Sequence, residues 1–147
     1  MASANPRIPE PTKEYKHITP IQLRFNDVDM FGHVNNAMYF HFFDLGKLRY
    51  FESVLGKDFA RKGFTAVIVN INCDFFSPSF LNEDLEVRSA VIHIGEKSIT
   101  LEQRIVNSQN GDVKCICTTV MAGFDPTTLK SAPIPVHFRN TFAAYEA

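Results

Sequence analysis

The sequence predicts an α+β domain in which an antiparallel sheet packs on one side of a single long helix. Three features predict it. An apolar segment long enough for about five helical turns runs from a capping asparagine, Asn35 or Asn36, to Gly56. Four runs between residues 65 and 124 alternate apolar and polar side chains with the period of a strand. The links between those runs are turn-like, and Asn110-Gly111 is a strong hairpin signal. One helix covers only part of such a sheet, so the chain is expected to oligomerise.

In chain order, Pro6, Pro9 and Pro11 deny the first residues a helix or a strand ladder. Residues 1–14 are therefore expected as a flexible arm ahead of one domain over 15–147. Residues 19–25, TPIQLRF, set Ile21, Leu23 and Phe25 against Gln22 and Arg24, the pattern of a half-buried strand. In the helix, Tyr39, Phe42, Phe43, Gly46, Tyr50 and Val54 share one face, and His41, Asp44, Lys47 and Glu52 the other. Phe40, Leu45, Leu48, Phe51 and Leu55 widen the apolar sector, so the helix should be wrapped rather than laid on a surface. Glycine in mid-helix costs about 1 kcal/mol against alanine, and Gly46 makes sense where a strand must pass close.

Strands follow. Residues 65–76 alternate Val67, Val69, Ile71, Cys73 and Phe75 with a set that turns polar at Asn70, Asn72 and Asp74. Pro78 and Asn82 mark a turn, residues 83–95 form a strand with a bulge expected near 89–91, and residues 97–107 and 112–124 form the hairpin around Asn110-Gly111. A proline-broken stretch leads to a short terminal helix from His137.

With 45% apolar and 21% charged residues, the chain suits one globular domain. A formal net charge of −1 provides no electrostatic footprint for nucleic acid or an anionic membrane, so a small molecule or a protein is the expected partner. No stretch approaches the roughly 20 apolar residues of a membrane span. The opening MASANPRIPEPTKEYKH lacks the apolar run of a secretory signal, and a cytoplasmic location is expected. Cys73, Cys115 and Cys117 are odd in number and match neither a metal set nor a disulfide framework, so they are expected to fill core. No metal or cofactor is expected.

The densest polar cluster is RFNDVDMFGHVNN, residues 24–36, between a strand and the helix N-terminus. The first helical N–H groups lack intrahelical partners there and the macrodipole is positive, which stabilises a phosphate, a carboxylate or the oxyanion of a reacting carbonyl. A carboxylate just ahead can act as general base or nucleophile, and His33 can orient water or share the acid–base work. Asp and Asn also cap helices and form Asx-turns, and Gly32 can supply a positive φ, so spacing alone leaves chemistry and pure architecture both open. There is no G-x-S-x-G elbow, Gly-rich phosphate loop, H-E-x-x-H or paired C-x-x-C.

The run DVDMFGHVNNAMY (27–39), followed by FFDLGKLRYF, resembles the signature of hotdog-fold acyl-CoA thioesterases of the 4-hydroxybenzoyl-CoA thioesterase-like family. It is also similar to a stretch of plant acyl-ACP thioesterases. CDFFSPSFLNEDLEVRSAV and IGEKSITLEQRIVN with TTVMAGFDPTT extend the resemblance over most of the chain. It implies a curled, five-stranded antiparallel sheet wrapped around one central helix, and hydrolysis of an acyl-CoA thioester to free acid and CoA-SH.

By position, the resemblance makes Asp29 the catalytic base or nucleophile, places Gly32 in the turn after it, and assigns the Asn36 N–H to polarise the thioester carbonyl. His33 assists the carboxylate. Asn35 and Tyr39 join the substrate-binding set; Asn70, Asn72 and Asp74 can line the site or face solvent from a half-exposed strand, and Arg61 and Lys62 can meet the phosphates of coenzyme A or stay solvated loop charges. The family also implies a homodimer with the site at its interface, and a dimer of dimers. Phe31 stands where plant-type enzymes carry an asparagine, so their fuller triad is not reproduced. The alternatives are an acyl-ACP thioesterase, a non-catalytic acyl-CoA-binding protein of the same fold, and the hydratase branch, whose Asp and His usually stand five apart rather than four.

Overall fold

Asn35 and Gly56 bound the long helix as their chemistry requires. In the computed structural model, which describes residues 5–147, α1 runs Asn36–Leu55. Asn35 is the N-cap, its side-chain oxygen accepting the Ala37 N–H at 3.1 Å. Gly56, at φ 100°, ends the helix in a conformation that side-chain-bearing residues avoid. Residues 1–4 of the expected arm lie outside the described residues.

The strands are β1 (His17–Ile21), β2 (Ala66–Phe75), β3 (Leu85–Ile94), β4 (Ser98–Asn107) and β5 (Val113–Asp125), all antiparallel in the order β1-β3-β4-β5-β2. A two-residue β6 (Lys130–Ser131) pairs with the end of β5, and α2 (Val136–Glu146) closes the chain. The sheet curls around α1. Near the helix N-terminus Tyr39, Phe42 and Phe43 pack with Val87, Ile105, Cys115 and Cys117. Toward its C-terminus Tyr50, Phe51 and Leu55 pack with Leu101, Met121 and the α2 residues Phe138 and Phe142. This is the α+β hotdog arrangement that the resemblance implied.

A strand does pass close to Gly46. A Cβ there would stand 2.7 Å from Val87 Cγ1 and 2.9 Å from Gln103 Nε2. Gln103 cannot give way freely, because Nε2 donates to the Phe43 carbonyl and to Ser89 Oγ, each at 3.0 Å. Gly46→Ala should gain about 1 kcal/mol of helix propensity but lose more to overpacking, which costs about 1–3 kcal/mol. A lower Tm in thermal unfolding is expected, and an unchanged or raised Tm would show that β3 does not press on the helix there.

Four sequence expectations are corrected. The first strand starts at His17 and stops at Ile21 rather than spanning 19–25. The Asp27 carboxylate accepts the Arg24 N–H at 2.8 Å and its guanidinium at 3.3 Å, folding Phe25–Asp27 into a 3-10 turn that leaves Phe25 81% exposed. In β2 the ladder slips between Ile68 and Asn70, so Val69 bulges. The face toward α1 is therefore Ala66 and Ile68, then Ile71, Cys73 and Phe75; an all-apolar V-I-V run hides that reversal. The β3 bulge falls at Ile92, one position beyond the expected range. Lys47, expected on the polar helix face, is only 5% exposed, because the sheet curls far enough to cover it; its Nζ reaches Asp44 Oδ1 at 3.1 Å.

Residues 5–14 form neither helix nor strand and cross the outer face of the sheet. The Glu102 carboxylate accepts the Thr12 N–H, the Thr12 hydroxyl and the Tyr15 hydroxyl at 3.3, 3.1 and 2.8 Å. Cys73, Cys115 and Cys117 are free thiols on the face toward α1. Hydrogen bonding with Cys115, reinforced by partial burial, pushes the Cys73 thiol up to about 11, so it rests protonated at neutral pH.

Candidate active site

Residues 27–35 double back on themselves. The Asn35 N–H donates to the Asp27 carbonyl at 2.8 Å, and Val28 bridges Val34. At the tip, the Asp29 N–H donates to the His33 carbonyl at 2.8 Å and the Gly32 N–H to the Asp29 carbonyl at 3.0 Å. Gly32, at φ 78°, makes this turn possible without strain. The two aspartates divide the work: Asp27 is buried at the end of the 3-10 turn, its carboxylate closing back on the Arg24 N-cap, and Asp29 is exposed at the loop.

The Asp29 carboxylate is held by one oxygen. Oδ1 accepts the backbone N–H groups of Phe31 at 2.9 Å and His33 at 3.2 Å. Among the described residues Oδ2 has no partner, and neither has the backbone N–H of Asn36, the first residue of α1. Both residues line one cleft of about 460 Å³, together with His33, Val34, Tyr39 and the stretch from Phe75 to Pro78. One cleft is thus lined by a residue with an unpartnered carboxylate oxygen and by a residue with an unpartnered helix N-terminal donor.

The imidazole of His33 makes no hydrogen bond to Asp29; the link between them is the backbone N–H. Its ring instead lies edge-on to Phe80 at 5.1 Å and tilted toward Phe31 at 6.4 Å between centroids. Tyr39 forms the floor. Its buried hydroxyl donates to Ser79 Oγ at 2.9 Å, and its ring meets Phe75 edge-on at 5.3 Å. Burial pushes the phenol above its ordinary range, which keeps it a donor.

The structure brings Asp29, His33, Asn36 and Tyr39 together and sets Gly32 and Asn35 in the supporting turn and cap. It leaves others apart. Asn72 and Asp74 pair with Thr118 and Ile116 on the face of the sheet away from α1 and do not line this cleft. Arg61 and exposed Lys62, which pairs with Asp58 at 3.2 Å, follow the C-terminus of α1. A 20-residue helix spans roughly 30 Å, so α1 separates them from the cleft within one protomer.

Sequence reading did not single out Phe76 and Ser77 of the far wall, nor the fully buried Ser79 that follows it in the chain. Ser79 pins that wall: its carbonyl accepts the Val34 N–H at 2.7 Å while its hydroxyl takes the Tyr39 donor. The only local signal was the Pro78–Asn82 turn, which says that the chain bends but not what it meets. Among the described residues, no three His, Cys, Asp or Glu groups stand together as a metal site.

Known proteins share this framework. The family model described as the thioesterase-like superfamily matches residues 23–142. The acyl-CoA thioester hydrolase YbgC of Escherichia coli O157:H7 is 23% identical over 126 residues, 79% of this chain and 87% of that protein. The uncharacterized protein YsmA of Bacillus subtilis is 29% identical over 87 residues, 59% of this chain and 58% of its own length. A thioesterase from Thermus thermophilus, solved with coenzyme A and zinc, superposes with TM-score 0.77 at 26% identity, covering 88% of this chain and 92% of the other. The matched family span takes in the helix, the cleft loop and all the strands but β1, so this chain belongs to the thioesterase-like superfamily.

Proposed function

We propose that this protein is an acyl-CoA thioesterase, hydrolysing an acyl thioester to the free acid and CoA-SH. One observation carries the reading: Asp29 and Asn36 line the same cleft, and the Oδ2 of the one and the backbone N–H of the other have no protein partner among the described residues. A thiolate leaves readily, so the reaction needs little acid assistance; a base and an oxyanion donor suffice. Asp29 either deprotonates water or attacks the carbonyl carbon, giving a mixed anhydride that water opens. The carbonyl oxygen, gaining negative charge, lies against the Asn36 N–H at the positive end of α1. His33, at the cleft edge, helps orient the water.

The proposed assembly is a homodimer with the cleft at its interface, in which dimers pair further. Support comes from β2, which ends the sheet order and leaves one long edge unpaired, with Val69 58% exposed and Val67, Ile68 and Ile71 also exposed. The roles of Asn72, Asp74, Arg61 and Lys62 in binding substrate require that second copy, since none joins the cleft of its own protomer. Sedimentation velocity should report at least twice the 16.7 kDa chain mass, and Val69→Lys should shift the distribution toward monomer. A wild-type monomer would sink the interface reading. Three free thiols fit a reducing compartment, in keeping with the cytoplasm, and among the described residues no helix is long and apolar enough to cross a membrane.

A second reading, an acyl-CoA-binding protein without hydrolysis, is favoured by one feature: Asp29 Oδ1 closes its own turn, a structural role. Thiol release from short, long and aromatic acyl-CoAs, with an acyl-ACP in parallel, separates the two. Turnover of a CoA thioester is expected; binding without thiol release moves the second reading ahead, and turnover of the ACP thioester alone reassigns the carrier.

A further inference from the structure

On the face of the sheet away from α1, β3 and β4 set Arg88 directly opposite Arg104. Like charges at facing positions of an antiparallel pair repel, and the chain offsets them only in part. Arg88 Nε donates to Glu86 Oε2 at 2.9 Å. Arg104 Nε and Nη2 donate to neutral groups, the Tyr15 hydroxyl at 3.0 Å and the Pro9 carbonyl at 2.6 Å. The neighbouring Glu102 carboxylate is already engaged by Thr12 and Tyr15. Both Nη atoms of Arg88 and Nη1 of Arg104 therefore have no hydrogen-bond or ion-pair partner among the described residues, and the Arg104 guanidinium lies over the Tyr15 ring at 5.9 Å. The two arginines line a cleft of about 220 Å³ under residues 8–11, whose apolar walls include Ile8, Pro9, Val106 and Val113.

We infer that this cleft binds a small amphipathic carboxylate, its head on the facing Arg88 and Arg104 guanidinium groups and its hydrocarbon body against Ile8, Val106 and Val113. Guanidinium presents a fork that matches a carboxylate. Arg104 is only 5% exposed, so a head group beside it is poorly screened by water. An inorganic anion leaves the apolar walls unused, and an alcohol leaves the arginines unpaired. Glu10, exposed on the same cleft, opposes an anion and moderates affinity. The site shares no lining residue with the Asp29 cleft and does not depend on hydrolysis there.

Isothermal titration of the full chain with hexanoate tests the inference. Saturable one-to-one binding is expected, weakened at least about tenfold in Arg88→Gln, the scale of a lost charge-assisted hydrogen bond. Removing the exposed repulsive charge in Glu10→Gln should tighten binding by about twofold. Inorganic phosphate and 1-hexanol should each bind at least about tenfold more weakly than hexanoate. Absence of saturable binding, undiminished affinity in an Arg88→Gln protein of wild-type Tm, or phosphate equal to hexanoate each overturns it. Should Arg88→Gln unfold, Glu10→Gln decides: unchanged affinity there places the ligand elsewhere.

Discussion

Asp29→Asn is expected to lose at least about a hundredfold in kcat for acyl-CoA hydrolysis, the scale of removing a general base, while melting close to wild type. The two effects separate because the two oxygens of Asp29 do different things. Oδ1 accepts the two loop donors, Phe31 N–H and His33 N–H, and asparagine retains an oxygen for that task. Oδ2 has no protein partner among the described residues, and its replacement by an amide removes only the charge and basicity offered to the cleft. Asp29→Ala removes both and should lower Tm as well. Retained turnover in a folded Asp29→Asn protein would move the carboxylate from chemistry to loop architecture.

Glu146→Ala carries the largest expected loss of stability, about 3–5 kcal/mol, because it strands two buried donors of a charged acceptor. The side chain is 3% exposed, and Oε2 accepts both the Tyr50 hydroxyl and the Val91 N–H at 2.7 Å. Val91 stands immediately before the β3 bulge, where the ladder is interrupted. Burial, and then the hydrogen bond to Glu146, hold the Tyr50 hydroxyl protonated far above neutrality, so it serves as a donor throughout the ordinary pH range. Lys13 adds a clasp from the arm, its Nζ donating to the Glu146 carbonyl at 2.9 Å. At about 2–4 °C per kcal/mol for a domain near this size, Tm should fall by on the order of 10 °C. Glu146→Gln keeps an acceptor and should lose less than half as much. An alanine variant melting with wild type would mean that α2 is held by its apolar contacts alone.

Local signals account for what was legible beforehand. The bounds of α1 follow from Asn35, Gly56 and a continuous apolar sector, all within one segment. Asn110-Gly111 marks the β4–β5 hairpin because a two-residue signal suffices for a tight turn, and Gly111 does adopt φ 76°. The bulge at Val69 escaped because apolar side chains on both sides of it erase the alternation that locates a face. The burial of Lys47 escaped because helical periodicity ranks faces by side-chain type, whereas the curl of the sheet decides which are covered.

The sequence by itself determined the fold class, the long wrapped helix and the placing of Asp29, Gly32, His33 and Asn36 at its start, since each depends on neighbours within a few residues. Only the tertiary structure decided that the stretch from Phe75 to Pro78 closes the cleft around them, held there by the hydrogen bonds of buried Ser79 to Val34 and Tyr39, from beyond the far end of α1 in the chain. It alone placed Glu146 against Tyr50 and Arg104 against Arg88. Pairings of that kind arise from strand register and from the burial of distant surfaces, and no local periodicity carries them.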